Sequence, residues 1–163
     1  MDNVKHYILE NDKKNPLPDL QEIYSKIHIK YLSPEYEHML QENYVFEMKT
    51  TEETLIPEIL TSPFLMVKRE LFQVIMMYMP DVKVKYISFI DYEREIYETY
   101  IVPVLEVIEY EMLSKTDISQ KVLFYVSNYN DRYAVARLDL SESILRRSSV
   151  GLKVKEFMVS REA

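Results

Sequence analysis

Gly151 is the only glycine in a chain of 163 residues, against a usual frequency of about 7%. Every other turn must be built from residues that carry a Cβ. The two-residue Asn-Gly type of hairpin turn is therefore excluded, and longer links are expected. Phosphate-cradling loops are excluded too, because backbone must adopt φ > 0 and come close to the anion. The dinucleotide fingerprint, the phosphate loop, the kinase glycine loop and the glycine-flanked nucleophile elbow are all missing as written motifs. No cofactor is expected on that ground. Gly151 itself is expected at positive φ, turning the chain from a helix ending Arg146-Arg147 into a last strand.

The length suits one domain able to bury a core without staples. There is no cysteine, which removes disulfides, thiolate metal sites and a cysteine nucleophile, and fits a reducing cytoplasm. No run of about 18 apolar residues exists, so no membrane partner is expected. Met1 to His6 is polar and does not read as a signal peptide. A net charge of −7 disfavours nucleic acid and anionic lipid and favours a basic partner.

Lys5–Glu10 reads as a strand and Asn11–Pro18 as a loop. Asp19 suits an N-cap for a helix carrying Leu20, Ile23, Tyr24, Ile27 and Tyr31 at helical spacing. Ser33-Pro34 starts a second short helix reaching about Gln41. Tyr44–Lys49 is β-prone, and Leu55–Leu60 has no clear type. Phe64–Val67 is expected as a strand, followed by a helix over Lys68–Met79 that Pro80 stops. That helix is apolar nearly all round in its second half, so burial on most sides is expected.

Val82–Ile90 and Ile96–Val104 form the strongest strand pair, linked through Asp91-Tyr92-Glu93-Arg94. Val82, Val84 and Tyr86 alternate with Lys83 and Lys85. Pro103 places the second strand at an edge or at its end. Glu106–Ser114 is ambiguous. Val122–Ser127 and Tyr133–Leu138 form a further hairpin across Asn128-Tyr129-Asn130-Asp131. Asp139 or Ser141 caps a helix to Arg147, and Leu152–Val159 closes as a strand. Phe64–Ile90 and Tyr133–Val159 thus share a strand–helix–strand plan. The fold class is a single-domain α+β protein with a mixed, mostly antiparallel sheet and helices packed on it.

Charge is unevenly placed. Asp91 to Asp117 holds eight acids against Arg94 and Lys115, and Glu35 to Glu58 holds seven against Lys49. Arg132 to Arg161 holds seven bases against Asp139, Glu142 and Glu156. This reads either as a docking face for a basic protein or as a solvated surface with internal pairing. The candidate docking residues are Glu93, Glu95, Glu98, Glu106, Glu109 and Glu111. Carboxylate pairs such as Glu93/Glu95, Glu106/Glu109 and Glu35/Glu37 would need a cleft and a raised pKa to serve acid–base chemistry. His6, His28 and His38 have no metal-ligand spacing, so no metal site is expected. Ser141, Ser143, Ser148 and Ser149 stand in no nucleophile motif. Fourteen tyrosines fit both strands and an interaction surface.

Three passages, PFLMVKRELFQVIMMYMPDVKVKYI, YETYIVPVLEVIEYE and VARLDLSESILRRSSVGLKVKEF, resemble the immunity-type proteins of bacterial polymorphic toxin systems. They cover about Phe64 to Val159. The resemblance implies a small cytoplasmic α+β protein that is not an enzyme and that neutralises a basic toxin domain by covering its surface. Two other readings remain open: an enzyme using carboxylates or histidine in a cleft, and an accessory or oligomeric subunit joined through the apolar helix and tyrosine-rich strands.

Overall fold

Two runs of alternating residues meet to make the longest hairpin of the structure, a computed structural model that describes residues 4–129, 131–147 and 151–159. Strand β5 (Val84–Asp91) pairs antiparallel with β6 (Ile96–Pro103) from Val84↔Pro103 to Asp91↔Ile96. Ile87 and Phe89 on β5 and Tyr100 and Val102 on β6 enter the core. The alternation of β5 is carried opposite to its first residues: Lys85 goes inside and Tyr86 outside. The larger gain from burying Ile87 and Phe89 sets the register, because a period of two leaves no other choice. Lys85 Nζ is satisfied by Glu37 at 2.8 Å and Glu42 at 2.9 Å. Burial alone would pull the Lys85 amine down, but those hydrogen bonds hold it above its usual value.

The other elements, in chain order, are β1 (His6–Asn11), β2 (Asn43–Glu47), β3 (Ile59–Leu60), β4 (Met66–Val67), α1 (Arg69–Tyr78), β7 (Val107–Glu109), β8 (Leu123–Asn128), β9 (Asp131–Arg137), α2 (Leu138–Arg147) and β10 (Leu152–Phe157). The α+β class holds, with the strands divided between two five-stranded mixed sheets: β10-β1-β9-β8-β7 and β2-β5-β6-β4-β3. Most pairs are antiparallel; β2 with β5 and β7 with β8 are parallel. Pro103 ends a strand with partners on both sides, so it marks an end and not an edge.

Both strand–helix–strand units form. In each, the two strands joined by the helix flank a third strand that is antiparallel to both. Strand β6 lies between β4 and β5, and β1 lies between β9 and β10. The two helices pack together, with the Tyr78 hydroxyl 2.8 Å from Ser143 Oγ.

The first sheet is apolar on both faces. Leu123, Tyr125, Ala134 and Ala136 join the main core, while Phe124, Val126 and Val135 alternate with them into a smaller cluster with Ile108 and Leu113. The main core is continuous across both sheets, from Leu9 through Phe46, Phe89 and Tyr100 to Leu140 and Ile144. No helix among the described residues is long and apolar enough to cross a membrane.

Several expectations change. The helices expected over Leu20–Tyr31 and Pro34–Gln41 are 3-10 turns at Gln21–Ser25, Ile29–Tyr31 and Glu37–Met39. Leu20, Ile23 and Ile27 are buried as the spacing requires. Ile23, Ile27 and Ile29 are weak helix formers, however, and His28 is extended at φ −89 and ψ 124. Asp19 Oδ1 accepts from the Gln21 amide at 3.1 Å without capping an α-helix. Helix α1 buries Leu71, Phe72, Val74 and Ile75, but Met77 is 76% exposed and Met76 is also exposed. The helix is thus covered on one side only. Helix α2 starts at Leu138 directly after β9, so neither Asp139 nor Ser141 is its cap; Ser141 is buried and donates to Ala136 O. The Arg137 guanidinium, which bonds Asp139 at 2.8 Å through both Nε and Nη2, holds that carboxyl below the usual carboxylate range. Asn130 of the second hairpin turn, with Ser148 and Ser149, lies outside the described residues.

Asn11 ties the sheets together. Its Oδ1 accepts from the Thr61 amide at 2.7 Å and from Thr61 Oγ1 at 3.0 Å; its Nδ2 donates to Ile59 O at 2.9 Å and to Gly151 O at 3.4 Å. Gly151 has φ +76, as its position implied, and a Cβ there would stand 3.1 Å from Leu55 Cδ2. Asn11→Ala should cost about 2–4 kcal/mol in urea unfolding, because it orphans a buried amide and a carbonyl. Gly151→Val should cost about 1–3 kcal/mol from backbone strain. Wild-type midpoints for both variants would contradict this account.

Tyr125, whose oxygen accepts from the Leu65 amide at 2.8 Å, is pushed up by burial. Tyr100, which donates to Pro57 O at 2.6 Å, is pushed up by burial and then by Glu98 and Glu58. A phenol raised in the folded state stabilises it below the unfolded value of about 10, and that stability fades as pH rises further. In an alkaline titration followed by phenolate absorbance, these two should ionise only with unfolding. Reversible ionisation of all fourteen tyrosines ahead of unfolding would refute it.

Candidate functional site

The second sheet turns one face of β2, β5 and β6 toward solvent. On β2 the burial pattern alternates, with Tyr44 and Phe46 inside and Asn43, Val45 and Glu47 outside. Pairing carries those outward positions across three strands. The rows are Glu47–Ile90–Tyr97, Val45–Ser88–Thr99 and Asn43–Tyr86–Ile101, the last ending in Ile101, which is buried. Val45, Tyr86 and Tyr97 are large apolar side chains left exposed there, Tyr97 at 63%. Ser88 Oγ lies 2.9 Å from Thr99 Oγ1 and accepts from the Tyr97 hydroxyl at 3.1 Å. Hydrogen bonding with Ser88 first and then with Thr99 holds the Tyr97 phenol below its ordinary value.

The β5–β6 turn stands at one end of this face. Without glycine it takes four residues, and Glu95 adopts φ 55. Asp91 supports it from inside. This buried carboxylate accepts from Thr50 Oγ1, from the Thr50 amide at 3.1 Å, and from the Glu93 and Arg94 amides at 3.1 and 3.2 Å. The Thr50 hydroxyl first, and then the backbone amides, outweigh burial and keep Asp91 below the usual carboxylate range. The Arg94 guanidinium turns back onto Thr50 Oγ1 and Thr51 O. Tyr92, Glu93 and Glu95 are consequently presented to solvent with the neighbouring cation already engaged.

The six candidate acids do not form one patch. Glu93 and Glu95 sit in the turn, and Glu98 on β6 pairs with Lys68 at 3.2 Å. Glu106 precedes β7 and pairs with Lys121 at 2.7 Å. Glu109 is on β7, and Glu111 lies in the 3-10 turn Tyr110–Lys115. Strand β6 runs between the turn that carries Glu93 and Glu95 and the segment that carries Glu106, with Glu98 on the strand itself. The exposed tyrosines flanking Glu93 and Glu95 were readable only as a surplus of tyrosine, since their facing depends on the register.

The remaining candidates are dispersed. His6 is buried on β1, with Nε2 2.9 Å from Lys121 O. His28 Nδ1 accepts from the Lys30 amide at 3.2 Å, and His38 is in the 3-10 turn Glu37–Met39. Among the described residues no three His, Asp or Glu side chains are grouped to hold a metal ion. No protein family, curated protein or solved structure matches the chain.

Asp91→Ala should cost about 2 kcal/mol by stranding the turn amides. Hydrogen exchange at the amides of Thr50, Glu93 and Arg94 should accelerate more than exchange elsewhere on β5. Uniform acceleration along the strand would contradict an anchoring role.

Proposed function

We propose that this chain is a protein-binding module whose docking surface is the outer face of β2, β5 and β6 together with the β5–β6 turn. The observation that carries this reading is the exposed Val45–Tyr86–Tyr97 face bordered by Glu47, Glu93 and Glu95. Tyrosine supplies large, rigid contact area with few rotamers to freeze, which is why it dominates binding hot spots. Three strands at about 4.8 Å and rows at about 6.6 Å frame only the centre of an interface. A stable complex takes about 800 Å² from each partner, so the turn with Tyr92 completes the rim.

The fitting partner is a basic protein surface. Glu47, Glu93 and Glu95 project beside the tyrosines, Arg94 is held back by Thr50 and Thr51, and the chain carries a net charge of −7. The resemblance of Phe64–Val159 to immunity-type proteins supports a toxin domain as that partner, blocked by occlusion in the cytoplasm. On this reading the chemistry belongs to the partner, and the chain supplies shape and charge.

The test is affinity capture of a basic toxin domain from the source cell, followed by measured kinetics. Tyr97→Ser and Tyr86→Ser should each weaken binding about tenfold or more. Glu93→Lys with Glu95→Lys should slow association several-fold at low salt, with the effect shrinking as salt rises. Lys153→Glu, on the edge strand β10, serves as a control. Wild-type affinity in all the face variants would end this proposal.

A further inference from the structure

A concave site of about 470 Å³ opens where three distant segments meet: Tyr24 to Ile29, the turn Ser62 to Phe64, and the start of β9 at Asp131 and Arg132. The first sheet and the second are linked beside it by the Leu65 amide, which donates to Tyr125. Junctions of this kind are where small-molecule sites concentrate. Ile27, Ile29, Pro63 and Phe64 make its apolar wall.

Arg132 is the residue with chemistry to offer. Its Nη1 donates to Ile29 O at 2.8 Å and Leu32 O at 2.9 Å, and its guanidinium lies 5.4 Å from the centre of the Tyr125 ring. These contacts fix the plane of the group without neutralising it. Nε and Nη2 have no hydrogen-bond partner among the described residues. That pair is an edge that grips a carboxylate or phosphate through two parallel hydrogen bonds. Glu109 acts on Arg132 by charge from the β7–β8–β9 row, but the two form no ion pair. His28, Ser62 and Tyr24 also line the site. With Nδ1 of His28 accepting from Lys30, a neutral ring carries its proton on Nε2.

We infer that this pocket binds a small monocarboxylate with an apolar body, the carboxylate clasped by Arg132 and the body packed on Pro63 and Phe64. Asp131 decides the charge of the ligand. Asp131 lines the same pocket and forms no ion pair with any described residue. It repels a phosphate dianion more strongly than a singly charged carboxylate. The site is independent of the tyrosine face, so either proposal can fail alone.

Amide chemical-shift titrations test this, with phenylacetate as a free acid, N-acetylphenylalanine as a chain-end mimic, and inorganic phosphate. At least one carboxylate should saturate with Kd on the order of 0.1–1 mM. Shifts should centre on residues 28, 29, 62, 64, 131 and 132, and whichever carboxylate binds more tightly identifies the source. Arg132→Lys keeps the charge but loses the fork, and should weaken binding about tenfold or more. Asp131→Asn leaves the arginine in place and should tighten the carboxylate about threefold or more. No saturation by either carboxylate, tighter binding of phosphate, or no change in Asp131→Asn would overturn the inference.

Discussion

Strand β1 holds the first sheet in one piece. Strands β9 and β10 are both antiparallel to it, so they run parallel to one another and are kept two strand spacings apart. Only a strand of opposite direction satisfies both ladders, and β1 supplies residues His6 to Asn11 for that purpose. It pairs with residues more than a hundred positions away. Closing so large a loop is entropically costly and makes such pairing slow compared with local hairpins. The same strand ends in Asn11, whose side-chain amide reaches Ile59 on β3 of the second sheet and Thr61 just after it. The join between the sheets thus rests on the element that pairs at longest range.

The second sheet solves the same problem locally. Its middle strand, β6, follows β5 through a four-residue turn, so the antiparallel partner is delivered within a few residues. The two sheets then differ in how they meet water. The first is buried on both faces at its β8–β9 centre, as Phe124, Val126 and Val135 alternate with Leu123, Tyr125, Ala134 and Ala136. The second leaves the face of Val45, Tyr86 and Tyr97 open. A sheet covered on both sides serves as scaffold; one covered on one side can offer a surface.

Local chemistry made much of this legible. The hairpins, both strand–helix–strand units and the positive φ of Gly151 follow from alternation, the stop at Pro80 and the uniqueness of that glycine. What stayed hidden depends on pairing at a distance. The strands divide between two sheets because of where β1 inserts, and no local pattern encodes that. Lys85 reads as an outward residue until Glu37 and Glu42 are brought beneath it. Leu20 to Ile27 has helical spacing, but tertiary burial is satisfied by 3-10 turns that ask less of β-branched residues. The acid-rich segment was visible as composition; its division into two groups, with Glu98 and Glu106 paired to lysines, needed the register.

His6 lies opposite Phe157 across the β1–β10 ladder. A short peptide bridging those two residues would turn β10 and β1 into an ordinary hairpin, matching the one already formed by β5 and β6. The chain could then be reopened within residues 12–18, between β1 and the first 3-10 turn, without cutting a ladder. In that circularly permuted order β8-β9-α2-β10-β1 and β3-β4-α1-β5-β6 become the same succession of elements, written twice. The likeness extends to the placement of four strands and a helix in each sheet and stops at the fifth strand, because β2 adds beside β5 while β7 adds beside β8, at the opposite edge of the matching unit.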